Sequence, residues 1–109
     1  MMNILRSGMR RLKLQPEIQC YPTWVYRDGG YENISPESLN VSDDLVAALH
    51  EWADRWDATY DLANDPANPH FSSPDIERQF WEDGHHLVTR LTEELYREWN
   101  VHFESEDLN

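Results

Sequence analysis

The chain has 109 residues, the length of one domain, and its 39% hydrophobic content with five tryptophans and five tyrosines excludes a disordered chain. Nine basic residues stand against 21 acidic residues, so the formal net charge is −12. Such a body repels nucleic-acid phosphates, which excludes direct DNA or RNA binding as the expected function, and it attracts a basic protein surface.

The basic residues are concentrated at the start of the chain. Residues 1–15 contain no acidic residue and carry +4, so residues 16–109 carry the remaining −16. The four basic side chains there are Arg6, Arg10, Arg11 and Lys13. We therefore predict a flexible basic tail over residues 1–15, a single α+β domain over residues 16–104 and an acidic tail over residues 105–109.

The sequence also bears on the compartment. No apolar run approaches the roughly 20 residues that span a bilayer, and no signal-peptide core of about 7–15 apolar residues precedes the domain. Cys20 is the only cysteine, so an intramolecular disulfide cannot form. We predict a cytoplasmic protein without a membrane contact.

Residues 17–27 alternate between polar and apolar side chains in the manner of a strand. The apolar side of this predicted strand holds Ile18, Cys20, Trp24 and Tyr26. Pro22 cannot donate to a ladder, so the segment is an edge strand, a bent strand or two short strands. Residues 28–30, Asp-Gly-Gly, are a turn signal, and residues 31–41 are predicted to be an ordered loop.

Two amphipathic helices follow. Ser42 is the predicted cap of a helix that ends near Leu62, before two prolines in residues 64–69, and its apolar stripe is Leu45, Leu49, Trp52, Trp56 and Tyr60. Ser73 and Pro74 begin a second helix over residues 74–99, whose stripe is Ile76, Phe80, Leu87, Leu91 and Leu95. Gly84 falls in the middle of this stripe, which predicts the close approach of another backbone.

Residues 100–104 are predicted to form a second short strand, so the element order is β-α-α-β. The expected fold is α+β, with two antiparallel helices packed on a small sheet in which residues 17–27 pair with residues 100–104. Such a sheet would cover both apolar stripes and bring the two ends of the domain together.

No residue pattern indicates catalysis or a metal. His50 with Asp54 and Glu82 with His86 are spaced i, i+4, but each pair lacks a third and a fourth ligand. The chain also lacks a phosphate loop and any combination of nucleophile, base and orienting residue. We therefore predict no catalytic residue, no metal and no cofactor.

An acidic stripe and exposed aromatic residues are the candidate partner-binding residues. Asp54, Asp57 and Asp61 share one helix face, and Asp65 extends them into the loop, although an ordinary solvated face has the same composition. Trp24 and Tyr31 flank the glycine turn, where aromatic side chains can reach outwards. Acidic charge beside exposed tyrosine and tryptophan is typical of a protein-binding surface.

Residues 22–33 (PTWVYRDGGYEN), residues 49–54 (LHEWAD) and residues 65–69 (DPANP) form distinctive stretches. Together they resemble a set of small uncharacterised acidic bacterial proteins over residues 20–100. These proteins are similar in type to the short acidic immunity proteins encoded beside secreted toxins. The resemblance implies an immunity or antitoxin-like inhibitor that occludes a basic partner, for example a nuclease toxin, and it carries over no functional residue.

Two other functions remain open at this point. A nucleic-acid-mimicking inhibitor of a DNA-binding enzyme would space its acidic residues like backbone phosphates over an extended surface. A non-catalytic subunit of a larger assembly would instead expose an apolar patch. The identity of the partner and the oligomeric state are not predicted.

Overall fold

The computed structural model describes residues 9–104. The strands and helices of this part follow one another in the order β-β-β-α-α-β. The strands and helices are β1 (Arg10–Leu14), β2 (Thr23–Arg27), β3 (Gly30–Ile34), α1 (Asp43–Asp57), α2 (Pro74–Glu94) and β4 (Trp99–Phe103), with a 3-10 turn at Pro36–Ser38. The α+β class is confirmed, but the predicted β-α-α-β order is wrong because two further strands, β1 and β3, are present.

The four strands form one mixed sheet in the order β3-β2-β1-β4. Strand β1 pairs antiparallel with β2 and parallel with β4, and β2 pairs antiparallel with β3. The predicted pairing of residues 17–27 with residues 100–104 is therefore wrong, since β1 lies between these two segments. The helices contact each other on the core side of the sheet without forming a clear antiparallel pair.

Strand β1 also corrects the predicted tail over residues 1–15. Leu12 and Leu14 are fully buried, and they alternate with the more exposed Arg11 and Lys13. Burying two leucines stabilises a strand in the middle of the sheet, and the charges of Arg11 and Lys13 do not oppose this because these side chains point to the other face. The remaining tail predictions, for residues 1–8 and 105–109, lie outside the described residues.

The predicted turn at residues 28–30 is confirmed as the connection between β2 and β3. Arg27 pairs with Gly30, so the connection has two residues, Asp28 and Gly29, with φ angles of 49° and 89°. Two consecutive positive φ angles are the geometry of a type I′ hairpin turn, which Asp-Gly suits. Because this turn returns the chain along β2, part of the predicted loop over residues 31–41 is strand instead.

The buried side of β2 is opposite to the predicted one. Thr23 and Val25 are fully buried, whereas Trp24 and Tyr26 are half-buried on the other face. The alternation of residues 17–27 is not continuous because Gln19 has a φ of 59° and residues 15–22 form a loop. The phase of side chains before Pro22 therefore does not predict the phase within the strand.

Both helices begin where the cap residues predict and end earlier than expected. The hydroxyl of Ser42 accepts a hydrogen bond from Leu45 N at 3.2 Å, and that of Ser73 accepts one from Ile76 N at 3.1 Å. Helix α1 ends at Asp57, and α2 ends at Glu94. The latter must end early because the chain reverses through Arg97, whose φ is 80°, to begin β4.

The core lies between the helices and one face of the sheet, and Trp52 is its largest fully buried side chain. Its ring stacks on Phe80 with a centroid distance of 4.4 Å and an interplanar angle of 8°. Its indole Nε1 donates a hydrogen bond to Phe80 O at 2.8 Å. Trp52 thus joins α1 to α2 by both packing and a buried hydrogen bond.

Gly84 is buried as expected, but its neighbours are side chains and not another backbone. A Cβ atom at this position would overlap Phe103 Cζ and lie 2.8 Å from Trp52 Cζ2. The predicted close approach of a backbone is therefore wrong. The absent side chain instead makes room for two aromatic rings.

We expect Gly84→Leu to lower the free energy of unfolding by roughly 1–3 kcal/mol, because the added side chain overpacks the core. Urea denaturation followed by tryptophan fluorescence measures the change. Gly30→Ala is the matched control, since a Cβ atom there meets no atom within 4 Å. Equal midpoints for the wild type and Gly84→Leu would contradict the prediction.

Candidate partner-binding surfaces

An acidic cleft lies between α1 and the loop that precedes β2. Its volume is about 410 Å³, and it is lined by Gln19, Cys20, Tyr21, Pro22, Asn33, His50, Ala53, Asp54 and Asp57. Asp57 Oδ1 accepts a hydrogen bond from Gln19 N at 3.0 Å, which holds the loop against the helix. Asp54 is exposed in the same cleft. The structure thus brings two of the predicted aspartates together at a concave surface.

Cys20 lies in the wall of this cleft. Its predicted place on the apolar face of a strand is wrong, because residue 20 belongs to the loop before β2. Burial raises the pKa of its thiol, and the nearby carboxylates of Glu17 and Asp57 raise it further. The side chain therefore favours the neutral thiol, which is a poor nucleophile.

Asp61 and Asp65 are separated from this cleft and stabilise the loop after α1. Asp61 Oδ1 accepts a hydrogen bond from Asn64 N at 3.1 Å, and Asp65 Oδ1 accepts one from Asn68 Nδ2 at 2.9 Å. The hydrogen bonds from Asn64 lower the pKa of Asp61. Both aspartates are exposed, so they keep their charge at the surface while the predicted stripe is divided into two groups.

Trp24 and Tyr31 lie on the face of the sheet that the helices leave uncovered, which we call the open sheet face. Lys13 Nζ lies 4.3 Å from the Tyr31 ring centroid and 5.8 Å from that of Trp24. Arg11 Cζ lies 4.0 Å from the Tyr26 ring centroid, and the Tyr26 and Tyr31 rings meet edge to face at 5.4 Å. Cations therefore cover the aromatic residues of this face.

Asn33 connects the acidic cleft with the open sheet face. It lines the cleft, and it stands opposite Trp24 in the β2–β3 ladder. Its side chain accepts a hydrogen bond from Tyr21 N at 3.0 Å and donates one to Tyr21 O at 2.8 Å. The two surfaces consequently adjoin, and the predicted aspartates and aromatic residues border one another through Asn33.

Arg11 and Lys13 are surface residues that the sequence prediction placed in a tail. The signal that could have identified them is the alternation Arg-Leu-Lys-Leu over residues 11–14, which is typical of a strand with one buried face. Their positive charge distinguishes the open sheet face from the rest of this acidic chain.

Glu37 and His50 form a polar pair beside the start of the cleft. The hydroxyl of Ser35 donates to Glu37 Oε1 at 2.7 Å, and His50 Nε2 lies 2.8 Å from the same oxygen. The hydrogen bond from Ser35 and, to a smaller extent, the contact with His50 lower the pKa of Glu37 from its ordinary value of 4.5 to about 2. The pair links the 3-10 turn to α1.

We expect the stability advantage of the wild type over Glu37→Gln to be present above pH 4.5 and to be lost as the pH falls towards about 2. The reason is that the folded carboxylate holds its charge to a lower pH than the unfolded one. Thermal melting of both proteins over the acidic range measures the difference. In a Ser35→Ala background, the pH range over which the advantage is lost should be narrower, because the largest contact that lowers the pKa of Glu37 is removed. A stability difference between the wild type and Glu37→Gln that is constant with pH would contradict the expectation.

The described residues 9–104 hold neither a ready-made metal site nor a helix that could span a membrane. Within this range no group of three or more histidine, cysteine, aspartate or glutamate side chains is placed to hold a metal ion. No helix of the described part is long and apolar enough to cross a membrane. The absence of a metal and of a cofactor stays a prediction from the sequence.

The geometry defines a small α+β domain with an acidic cleft beside a cationic, aromatic sheet face. The family model described as Serratia CdiI immunity protein-like matches residues 10–106 of this chain, so the protein belongs to that family. The resemblance to toxin immunity proteins is thereby confirmed, and immunity-protein families are generally non-catalytic. No curated protein matches the sequence.

Proposed function

We propose that this protein is an immunity protein that inhibits a toxin by binding it and occluding its active site. The observation that supports this most directly is the family match over residues 10–106. The net charge of −12 favours a partner with a basic surface, because opposite charges accelerate encounter. In this proposal the protein acts in the cytoplasm as a binding protein, not as an enzyme, and contacts neither nucleic acid nor membrane.

The acidic cleft is the proposed contact for basic side chains of the toxin. Asp54 is exposed and Asp57 is half-buried there, so a lysine or arginine entering the cleft would meet two carboxylates in a concave site. Asp61 and Asp65 lie further along the chain and act as exposed charges that attract the partner. Exposed charges of this kind act mainly on the association rate.

Trp24 and Tyr31 are the proposed aromatic anchors. Both are half-buried, and the indole Nε1 of Trp24 donates to Gln15 O at 3.0 Å, which fixes the orientation of the ring. Preordered aromatic side chains lose little conformational freedom on binding, which is why they are frequent at the centres of interfaces. Truncation of either ring should act mainly on dissociation.

The test is co-expression of this protein with the candidate toxin encoded by a neighbouring gene. The proposal expects restored growth, a co-purified complex and complete inhibition of the toxin at an equimolar ratio. Equimolar inhibition distinguishes occlusion from enzymatic detoxification, which would need far less than one equivalent. Failure of the wild-type protein to bind or inhibit the candidate toxin would overturn the proposal for that pair.

A further inference from the structure

Arg11 and Lys13 are two cations that lie on the same face of one strand and lack a carboxylate partner, a lack that they share with Arg10 and Arg97 among the described residues. Four other arginines each contact a carboxylate, namely Arg27, Arg55, Arg78 and Arg90. For Arg11 and Lys13, no carboxylate lies within 4 Å among the described residues 9–104, although the chain has 21 acidic residues. Two cations without a carboxylate partner therefore lie side by side on one strand.

Within its four strands the open sheet face has no acidic side chain; the nearest is Glu104, directly after β4, whose carboxylate lies 3.9 Å from His102 Nε2. By strand alternation and register, its residues are Arg11, Lys13, Trp24, Tyr26, Tyr31, Asn33, Asn100 and His102. The contacts of Arg11 with Tyr26 and of Lys13 with Tyr31 hold the two charged groups against the sheet. Their donors are thus partly ordered before any partner arrives, which reduces the entropy lost on binding.

We propose that the open sheet face binds a carboxylate-bearing segment of the toxin partner. This inference rests on the proposed function, since it assigns a second contact to the same partner. The planar guanidinium of Arg11 can remain on the Tyr26 ring while its edge donates to a carboxylate, and the Lys13 ammonium supplies a second donor.

Carboxylates fit this face better than a single-stranded nucleic acid does. Bases bind sheet surfaces by stacking on aromatic rings, but the faces of Tyr26 and Tyr31 are already covered by cations. The net charge of −12 also opposes the approach of a polyphosphate chain more than that of a short acidic segment. Stacking of bases on these two rings is thus hindered, whereas the cationic donors stay available to a carboxylate.

The two adjoining surfaces then require a basic region and an acidic region to lie next to each other on the toxin. The acidic cleft takes a basic part of the toxin, the open sheet face takes an acidic part, and Asn33 lies at the border between them. Opposite charges in a defined order allow one orientation and disfavour partners that are uniformly basic. Specificity among toxins would thus depend on Arg11 and Lys13 as well as on the aspartates.

The test compares the toxin affinities of the wild type, Arg11→Gln/Lys13→Gln and Arg97→Gln. Arg97 is a control for the removal of one such cation, because it lies over the Tyr96 ring at 5.5 Å and has no carboxylate partner among residues 9–104. We expect the double variant to bind about tenfold more weakly and Arg97→Gln to bind like the wild type. Arg11→Lys/Lys13→Arg, which keeps both charges, should retain most of the affinity.

Equal affinities of the wild type and the double variant would overturn the inference while leaving the proposed function intact. A toxin that the wild type does not bind would count against the proposed function instead. In that case a titration with blocked oligo-glutamate, followed by backbone amide resonances, decides the inference independently of the toxin.

The oligo-glutamate peptide should shift the resonances of β1 and β2 at low salt in the wild type and not in Arg11→Gln/Lys13→Gln. Oligo-lysine of the same length should leave these strands unchanged. The inference is overturned if oligo-glutamate has no effect on them or if oligothymidylate shifts them more strongly. The same experiment also monitors folding of the double variant.

Discussion

Trp52→Ala is expected to lower the free energy of unfolding by roughly 3–5 kcal/mol, the range for truncation of a large buried aromatic residue. Trp52 is 1% exposed, stacks on Phe80 and contacts Phe103, so its removal leaves a cavity between both helices and β4. The hydrogen bond from its indole to Phe80 O is lost as well. A loss of this size approaches the whole stability of many small domains.

Urea denaturation followed by far-UV circular dichroism measures this loss without using the fluorescence of the deleted residue. Tyr96→Ala is the control for aromatic truncation at the surface, because Tyr96 is 71% exposed and should change stability by less than about 0.5 kcal/mol. The stacking and cavity interpretation is wrong if Trp52→Ala and Tyr96→Ala have the same midpoint.

Asp54→Lys/Asp57→Asn is expected to slow association with the toxin by about tenfold or more, since electrostatic steering changes association rates by roughly 10–10³. The asparagine keeps an acceptor for Gln19 N, so the loop beside the cleft should stay in place. The variant removes two negative charges from the cleft and adds one positive charge. Its association rate should also depend less on salt than that of the wild type.

The matched control is Glu82→Lys/Glu93→Gln on α2, which makes the same change in net charge, from −12 to −9, away from the cleft. Stopped-flow association at several salt concentrations compares the three proteins. A similar slowing in both double variants would mean that total charge attracts the toxin. An unchanged rate in the cleft variant would instead exclude the acidic cleft as the contact.

The positions of the candidate partner-binding aspartates and aromatic residues were predictable only in part. The sequence shows that Asp54 and Asp57 share a helix face, but the cleft needs the loop of residues 15–22, which comes from a distant part of the chain. The prediction for Asp61 assumed that the helix continues to Leu62, but α1 ends at Asp57. The side chain of Asp61 therefore contacts Asn64 in the loop instead of continuing the stripe. Because α1 ends about one turn earlier than predicted, the predicted acidic stripe is divided into two groups.

The sequence by itself determined the features that depend on neighbouring residues. The caps at Ser42 and Ser73, the apolar stripes of the helices and the turn at residues 28–30 all arise from contacts within a few positions. The acidic charge and the resemblance to immunity proteins were also readable from the chain alone, because they need no geometry.

Only the tertiary structure decided the sheet order, the place of residues 10–14 and the face on which Trp24 lies. A strand of five residues has too little local signal to specify its partner. Strand β1 lies between β2 and β4, and its paired residues in β4 are 89 positions later in the chain, so its pairing depends on the burial of Leu12 and Leu14 against the helices. That burial places Arg11 and Lys13 on the opposite face beside Trp24 and Tyr31. The cationic sheet face is thus a consequence of long-range packing.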